Sequence, residues 1–144
     1  MIKFFCFILM FCATVTANFS YYILAVQKWC STEYMIHGLW PQISASEYPT
    51  YCMNDIYIEP SGTLKKEMDA FWSSCDNSDL WKHEWLKHGT CVEEQYKINE
   101  DDYYNMTLNM FIDNMNLLDK CNDKDDCTLG CFDLNLKLID CPEN

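Results

Sequence analysis

Trp81-Lys82-His83-Glu84-Trp85-Leu86-Lys87-His88-Gly89-Thr90-Cys91 holds two of the three histidines of this 144-residue chain. On an α-helix at about 100° per residue, His83, Lys87, Glu84 and His88 fall at roughly 0°, 40°, 100° and 140°. These four polar groups share one face, while Trp85 and Leu86, at about 200° and 300°, turn toward a core. Asp79 can cap such a helix and Gly89 can close it, which predicts a short helix over residues 80–88. A solvated helix face with a Glu84–His88 pair one turn apart would account for the charges. It would not account for the second histidine or for the indole between them. Two imidazoles, an ammonium group and a carboxylate to orient them suit an anion. Zinc is disfavoured by spacing: H-E-x-x-H needs its second histidine four positions on, and that position is Lys87. No metal and no cofactor is assigned.

The third histidine opens His37-Gly38-Leu39-Trp40-Pro41. A lone histidine on an apolar face is ordinarily a core residue. Three confined to two short motifs point instead to proton transfer, because imidazole both takes and gives a proton near neutrality. Gly38 leaves backbone room and Pro41 stiffens the exit. Trp40 is either a core ring or a platform on which an unpaired base stacks. Tyr48, Tyr51 and Tyr57 either extend such a pocket or are ordinary loop tyrosines.

Around these motifs, residues 19–29 are rich in Tyr, Ile, Val and Phe and predict a strand; residues 35–39 predict a second, ending at the Pro41 break. Two prolines and Asn54-Asp55 make residues 48–60 a loop. Leu64, Met68, Phe71 and Trp72 recur at helical spacing and predict a helix over 61–74. The longest helix is expected over 101–119, with Tyr104, Leu108, Phe111, Ile112, Met115 and Leu118 as its apolar stripe. Residues 129–132 and 136–139 then form two strands around Asp133-Leu134-Asn135. Strands and helices mix without βαβ alternation, so the class is α+β in a single domain over residues 18–144, with no internal repeat.

Residues 1–17 are read as a secretory leader: Lys3, an apolar run over 4–15, then Val15-Thr16-Ala17. The run is shorter than the roughly 20 residues of a membrane span, and no membrane association is expected once the leader is removed. Cys6 and Cys12 leave with it. Cys30, Cys52, Cys75, Cys91, Cys121, Cys127, Cys131 and Cys141 remain, an even set that reads as four disulfides in an oxidising compartment. Asn18-Phe19-Ser20 and Asn105-Met106-Thr107 are glycosylation sequons, with Asn18 and Asn105 as acceptors. The formal charge is −12, and all ten basic residues are lysines. That balance excludes tight, charge-driven binding to a nucleic-acid backbone. It is compatible with transient processing, in which cations stand only where a phosphate reacts.

Residues 35–41 and 81–91 resemble the two active-site segments of the T-two family of acid ribonucleases, which includes the plant S-type enzymes. In the second segment only Lys82 and Leu86 fall at variable positions. Residues 22–29 resemble the family's first strand, with its Leu-Ala-x-Gln-x-Trp character, and residues 131–142 its C-terminal hairpin ending Ile-Asp-Cys-Pro. The resemblance implies an antiparallel sheet with packed helices and metal-free cleavage of single-stranded RNA through a 2′,3′-cyclic phosphate. DNA, lacking the 2′-hydroxyl, would be inert. It implies His88 as general base, His37 as general acid and His83 as a phosphate ligand, with Glu84 and Lys87 stabilising the pentacoordinate state. Trp40 would flank one base, and Gln27 and Leu80 would contact another. Gln42 stands where many relatives carry Asp or Asn, and Leu80 where many carry Phe. The likeness also implies the disulfides Cys52–Cys91, Cys131–Cys141 and Cys30–Cys75, leaving Cys121–Cys127. Only residues 120–128 separate the long helix from the C-terminal hairpin, where relatives usually carry a further helix. The compartment implied is extracellular or lysosome-like. The rival functions are a secreted binding or effector protein keeping the same fold, and a metal-dependent hydrolase.

Overall fold

The computed structural model describes residues 18–29, 31–73 and 79–143. The expected leader and the Cys30–Cys75 pairing lie outside the described residues. Along Tyr21–Gln27, strand β1, Tyr22, Leu24 and Val26 alternate onto one buried face. β1 is the middle of the sheet: β2 (Met35–Gln42) pairs with one side of it and β3 (Asp126–Phe132) with the other, both antiparallel. The two-residue β4 (Leu138–Ile139) pairs with β3 and completes the order β2-β1-β3-β4. The Asp133-Leu134-Asn135 turn forms as expected, its Asp133 Oδ1 accepting from the amides of Asn135 and Lys137.

The helices lie between β2 and β3 in the chain. They are α1 (Gly62–Phe71), α2 (Leu80–Glu84), α3 (Thr90–Tyr96) and α4 (Glu100–Asp113). A π-helical turn, Trp85–Gly89, joins α2 to α3, and a 3-10 helix, Met115–Cys121, follows α4. α4 lies against the sheet, where the Tyr103 hydroxyl donates to the Leu39 carbonyl at 2.8 Å and that of Tyr104 to the Trp81 carbonyl at 2.9 Å. Trp72, Trp85, Tyr103 and Tyr104 are fully buried and pack ring against ring, Trp72 and Tyr104 edge to face and the other pairs tilted, so the core behind the site is a cluster of large rings with their polar ends bonded.

Four expectations need correcting. Pro41 does not end its strand: β2 runs on to Gln42, with Pro41 opposite Tyr22. β2 is an edge strand, where a missing N–H costs no ladder bond. Gly89 does not close a helix, since the chain continues helically to Tyr96 and Lys97 takes the left-handed terminal position at φ 58°. Gly89 is instead set by packing, because a Cβ there would enter the Trp85 ring and crowd Tyr103 at 3.1 Å. The long helix starts at an Asn99–Asp102 capping box and stops at Asp113, six residues early, giving way to the 3-10 segment. Its buried stripe is Tyr103, Tyr104, Thr107, Leu108, Met110 and Phe111, while Ile112 and Met115 face solvent.

Among the described residues the expected disulfides Cys52–Cys91, Cys121–Cys127 and Cys131–Cys141 are formed. Among the described residues, no helix is long and apolar enough to cross a membrane. Asn18 and Asn105 are exposed; Asn105 lies within α4, and Thr107 of its sequon is buried with its hydroxyl bonded to the Tyr103 carbonyl at 2.8 Å.

Candidate active site

His37 reaches the site through an irregularity in β2. Val26 pairs with Ile36 and Ala25 with Gly38, so His37 is the extra residue of a β-bulge. The bulge keeps Ile36 and Leu39 on the core face and swings the His37 ring beside Trp40, with centroids 5.1 Å apart. The Trp72 indole holds the bulged backbone by donating to the His37 carbonyl at 2.9 Å. His88 sits in the π-helical turn, the equivalent one-residue widening of a helix and one often found at functional sites. Each of these two histidines therefore occupies an insertion in an otherwise regular element.

Trp40 lies between them. Its ring is 5.1 Å from His37 and 5.7 Å from His88, and Tyr48 lies 6.2 Å beyond His88. The Trp40 indole donates to Glu84 Oε2 at 2.8 Å. Gly38 makes that bond possible, because a Cβ at this position would overlap the Glu84 carboxylate and the indole nitrogen. Trp40, Gln42, Tyr48, Lys87 and His88 line a cavity of about 180 Å³. A larger groove of about 700 Å³, bounded by Lys28, Tyr34, Phe71, Phe111 and Met115, contains none of the histidines.

Burial governs the electrostatics. Glu84 is 1% exposed, and desolvation pushes its carboxyl up to about 7 against the pull of the Trp40 indole and of Lys87. His88 is 4% exposed, and its Nδ1 has no hydrogen-bond partner among the described residues. Burial, then Lys87, His83 and His37, push it down to about 3. His37 is lowered by burial and Lys87, with Asp126 opposing. His83 is exposed and lowered mainly by what desolvation it has, then by Lys87 and His37. The free site thus holds its histidines neutral near pH 7. An arriving anion would raise all three.

Among the residues expected from sequence, His37, Trp40, Glu84, Lys87 and His88 are brought together, with Gln42 on the cavity wall; His83 is exposed, does not line the cavity and feels Lys87 and His37 electrostatically. Gln27 is buried at the end of β1 with its Oε1 unpartnered among the described residues, and Leu80 packs against the core; neither lines the cavity. Tyr48 does line it. Asp126 and Trp29 were missed. Asp126 lies 3.2 Å from His37 Nδ1, and Trp29 packs edge-on against the same ring at 5.2 Å. Asp126 sits in the run Asp123-Lys124-Asp125-Asp126, where only the pairing of β3 with β1 singles it out.

A model of the Ribonuclease T2 family matches residues 2–125. The chain belongs to the Ribonuclease T2 family. Intracellular ribonuclease LX of Solanum lycopersicum is 35% identical over 97 residues, covering 62% of this chain and 39% of that protein. The chain spans between about a quarter and two fifths of the curated T2 relatives first in similarity. The RNase-related protein from Calystegia sepium superimposes with a TM-score of 0.62 at 20% identity, over 88% of this chain and 92% of that one. A mutant of RNase MC1 in complex with 5′-GMP superimposes with a TM-score of 0.55 at 24% identity, over 67% and 59%. These superpositions establish the T2 fold, an α+β arrangement around an antiparallel sheet.

Proposed function

We propose that this T2-family chain is a secreted or lysosome-like endoribonuclease that cleaves single-stranded RNA by transphosphorylation, without a metal and with low base specificity. The observation that carries this is the placement of two histidines on either side of Trp40, with a lysine and a buried carboxylate between them. The substrate's 2′-hydroxyl attacks the adjacent phosphorus as His88 takes its proton. His37 protonates the departing 5′-oxygen, leaving a 2′,3′-cyclic phosphate. Hydrolysis runs the same transfers in reverse, with water as the nucleophile. Lys87, Glu84 and His83 oppose or share the charge that builds on the phosphoryl oxygens. Trp40 and Tyr48 are the rings available to hold a base. RNase MC1 in complex with 5′-GMP supports a nucleotide as the occupant of such a site.

The test is incubation of the mature protein with single-stranded RNA and with DNA in excess EDTA, followed by analysis of the RNA termini. Cyclic-phosphate ends on RNA, and intact DNA, are the expected result. Absence of RNA cleavage across pH 4 to 8 would leave a binding or effector protein on a ribonuclease fold. Loss of cleavage with EDTA would indicate a metal-dependent hydrolase. Near-wild-type activity in His37→Ala would show that His37 is not the acid.

A further inference from the structure

We propose that Asp126 is a positioning residue for His37, presented by the disulfide-closed turn between Cys121 and Cys127; this role rests on the ribonuclease function assigned to the same site. Asp126 opens β3, opposite Gln27 of β1 and immediately before Cys127. Its two oxygens have separate partners. Oδ1 faces His37 Nδ1 at 3.2 Å, and Oδ2 accepts from the Trp29 indole at 3.1 Å. The indole therefore fixes the carboxylate, the carboxylate fixes the imidazole, and the Trp29 ring walls the imidazole opposite Trp40. With Nδ1 engaged, Nε2 is the nitrogen left to exchange a proton with substrate.

The turn that carries Asp126 is tied down at several points. The Cys121–Cys127 bridge closes it. The Lys28 amide donates to the Asp125 carbonyl at 2.8 Å, and its ammonium reaches Asp123 at 2.7 Å. The Tyr34 hydroxyl donates to the Lys124 carbonyl at 3.0 Å, and the Lys28 ammonium lies over the Tyr34 ring at 4.4 Å.

An ordinary surface ion pair is the competing explanation. The Asp126 side chain is 55% exposed and that of His37 19%, and exposed pairs add little stability. The two explanations part over proton affinity. His37 is faced by Asp126 from β3, by Lys87 from the π-helical turn, and at longer range by His83 and His88. Of these only Asp126 favours the imidazolium. Removing its charge lowers the pH below which His37 can serve as an acid.

Asp126→Asn keeps the shape and removes the charge. The expected result is a kcat about tenfold lower near pH 6, part of the ~10²–10⁴ that a positioned general acid contributes. KM should change less than about twofold, the alkaline limb of the pH–rate profile should move to lower pH, and Asp126→Glu should recover part of the loss. NMR titration of the His37 ring should show a lowered pKa without substrate, and Tm should move by less than about 4 °C. An unchanged His37 titration overturns the proposal, whether kcat is unchanged or falls, because a distorted β3 would also reduce kcat. Should the unmodified protein cleave no RNA, the ribonuclease function fails while the titration still decides whether Asp126 governs His37.

Discussion

His88 and His37 are both depressed, and the sign of each shift defines a working range. His88 is neutral, and so able to accept a proton, at any pH above about 3. His37 lies below the ordinary histidine value of 6.5, so it is protonated and able to donate only in acid. The expected kcat/KM profile is a bell lying wholly on the acid side of neutrality; a maximum above pH 7 would contradict these assignments. Gly38→Ala forces a methyl group into the Glu84 carboxylate and the Trp40 indole. It should lower stability by about 1–3 kcal/mol, as overpacking does, and reduce activity more than a stability loss of that size explains. Calorimetry beside a cleavage assay checks both. At this scale the sequence was informative about identity and silent about environment. Spacing picked out His37, Glu84, Lys87 and His88, but not that Glu84 and His88 are buried beside Trp40 while His83 is left outside. Burial depends on β2 and α4, which are distant in the chain.

Between elements, the loop over residues 48–60 decides whether Tyr48 stays at the cavity. Three links hold it to the helical segment: Cys52–Cys91, the Tyr51 amide to the Lys87 carbonyl at 2.9 Å, and the Trp85 indole to Asp55 Oδ2 at 3.1 Å. Replacing Cys52 and Cys91 by Ser opens a loop with a sequence separation of 39 residues. The loop-entropy relation puts the cost at roughly 4 kcal/mol. Thermal unfolding should show that loss, and the surviving folded protein should show a raised KM as Tyr48 loosens. Richness in Tyr, Ile, Val and Phe made β1 legible, the two apolar stretches around Asp133-Leu134-Asn135 did so for the terminal hairpin, and the 3.6-residue period for α1 and α4. The β-bulge and the π-helical turn were not legible. Each is a mismatch between one element and its neighbour, and a period read along one segment carries no information about its partner.

For the molecule as a whole, two buried groups pull stability in opposite directions with pH. His88 holds its proton less tightly when folded, about 3 against 6.5, so the stability tied to it is complete above 6.5 and is lost as pH falls toward 3. Glu84 holds its proton more tightly when folded, about 7 against 4.5, so its contribution is complete below 4.5 and is lost as pH rises through 7. Tm should therefore climb from pH 3 to 4.5, change little to 6.5, and fall toward 7 and beyond, where the net charge of −12 adds repulsion. Glu84→Gln should flatten the fall and leave the acid-side climb. The bulge in β2 has a genetic consequence. Without His37, the strand would read Ile36 inward, Gly38 outward, Leu39 inward and Trp40 outward, the unbroken alternation of an ordinary strand. Loss of that one codon would restore regular pairing along the strand while removing the proposed proton donor, so strand pairing and the proposed chemistry are separable by the smallest in-frame deletion a gene can suffer.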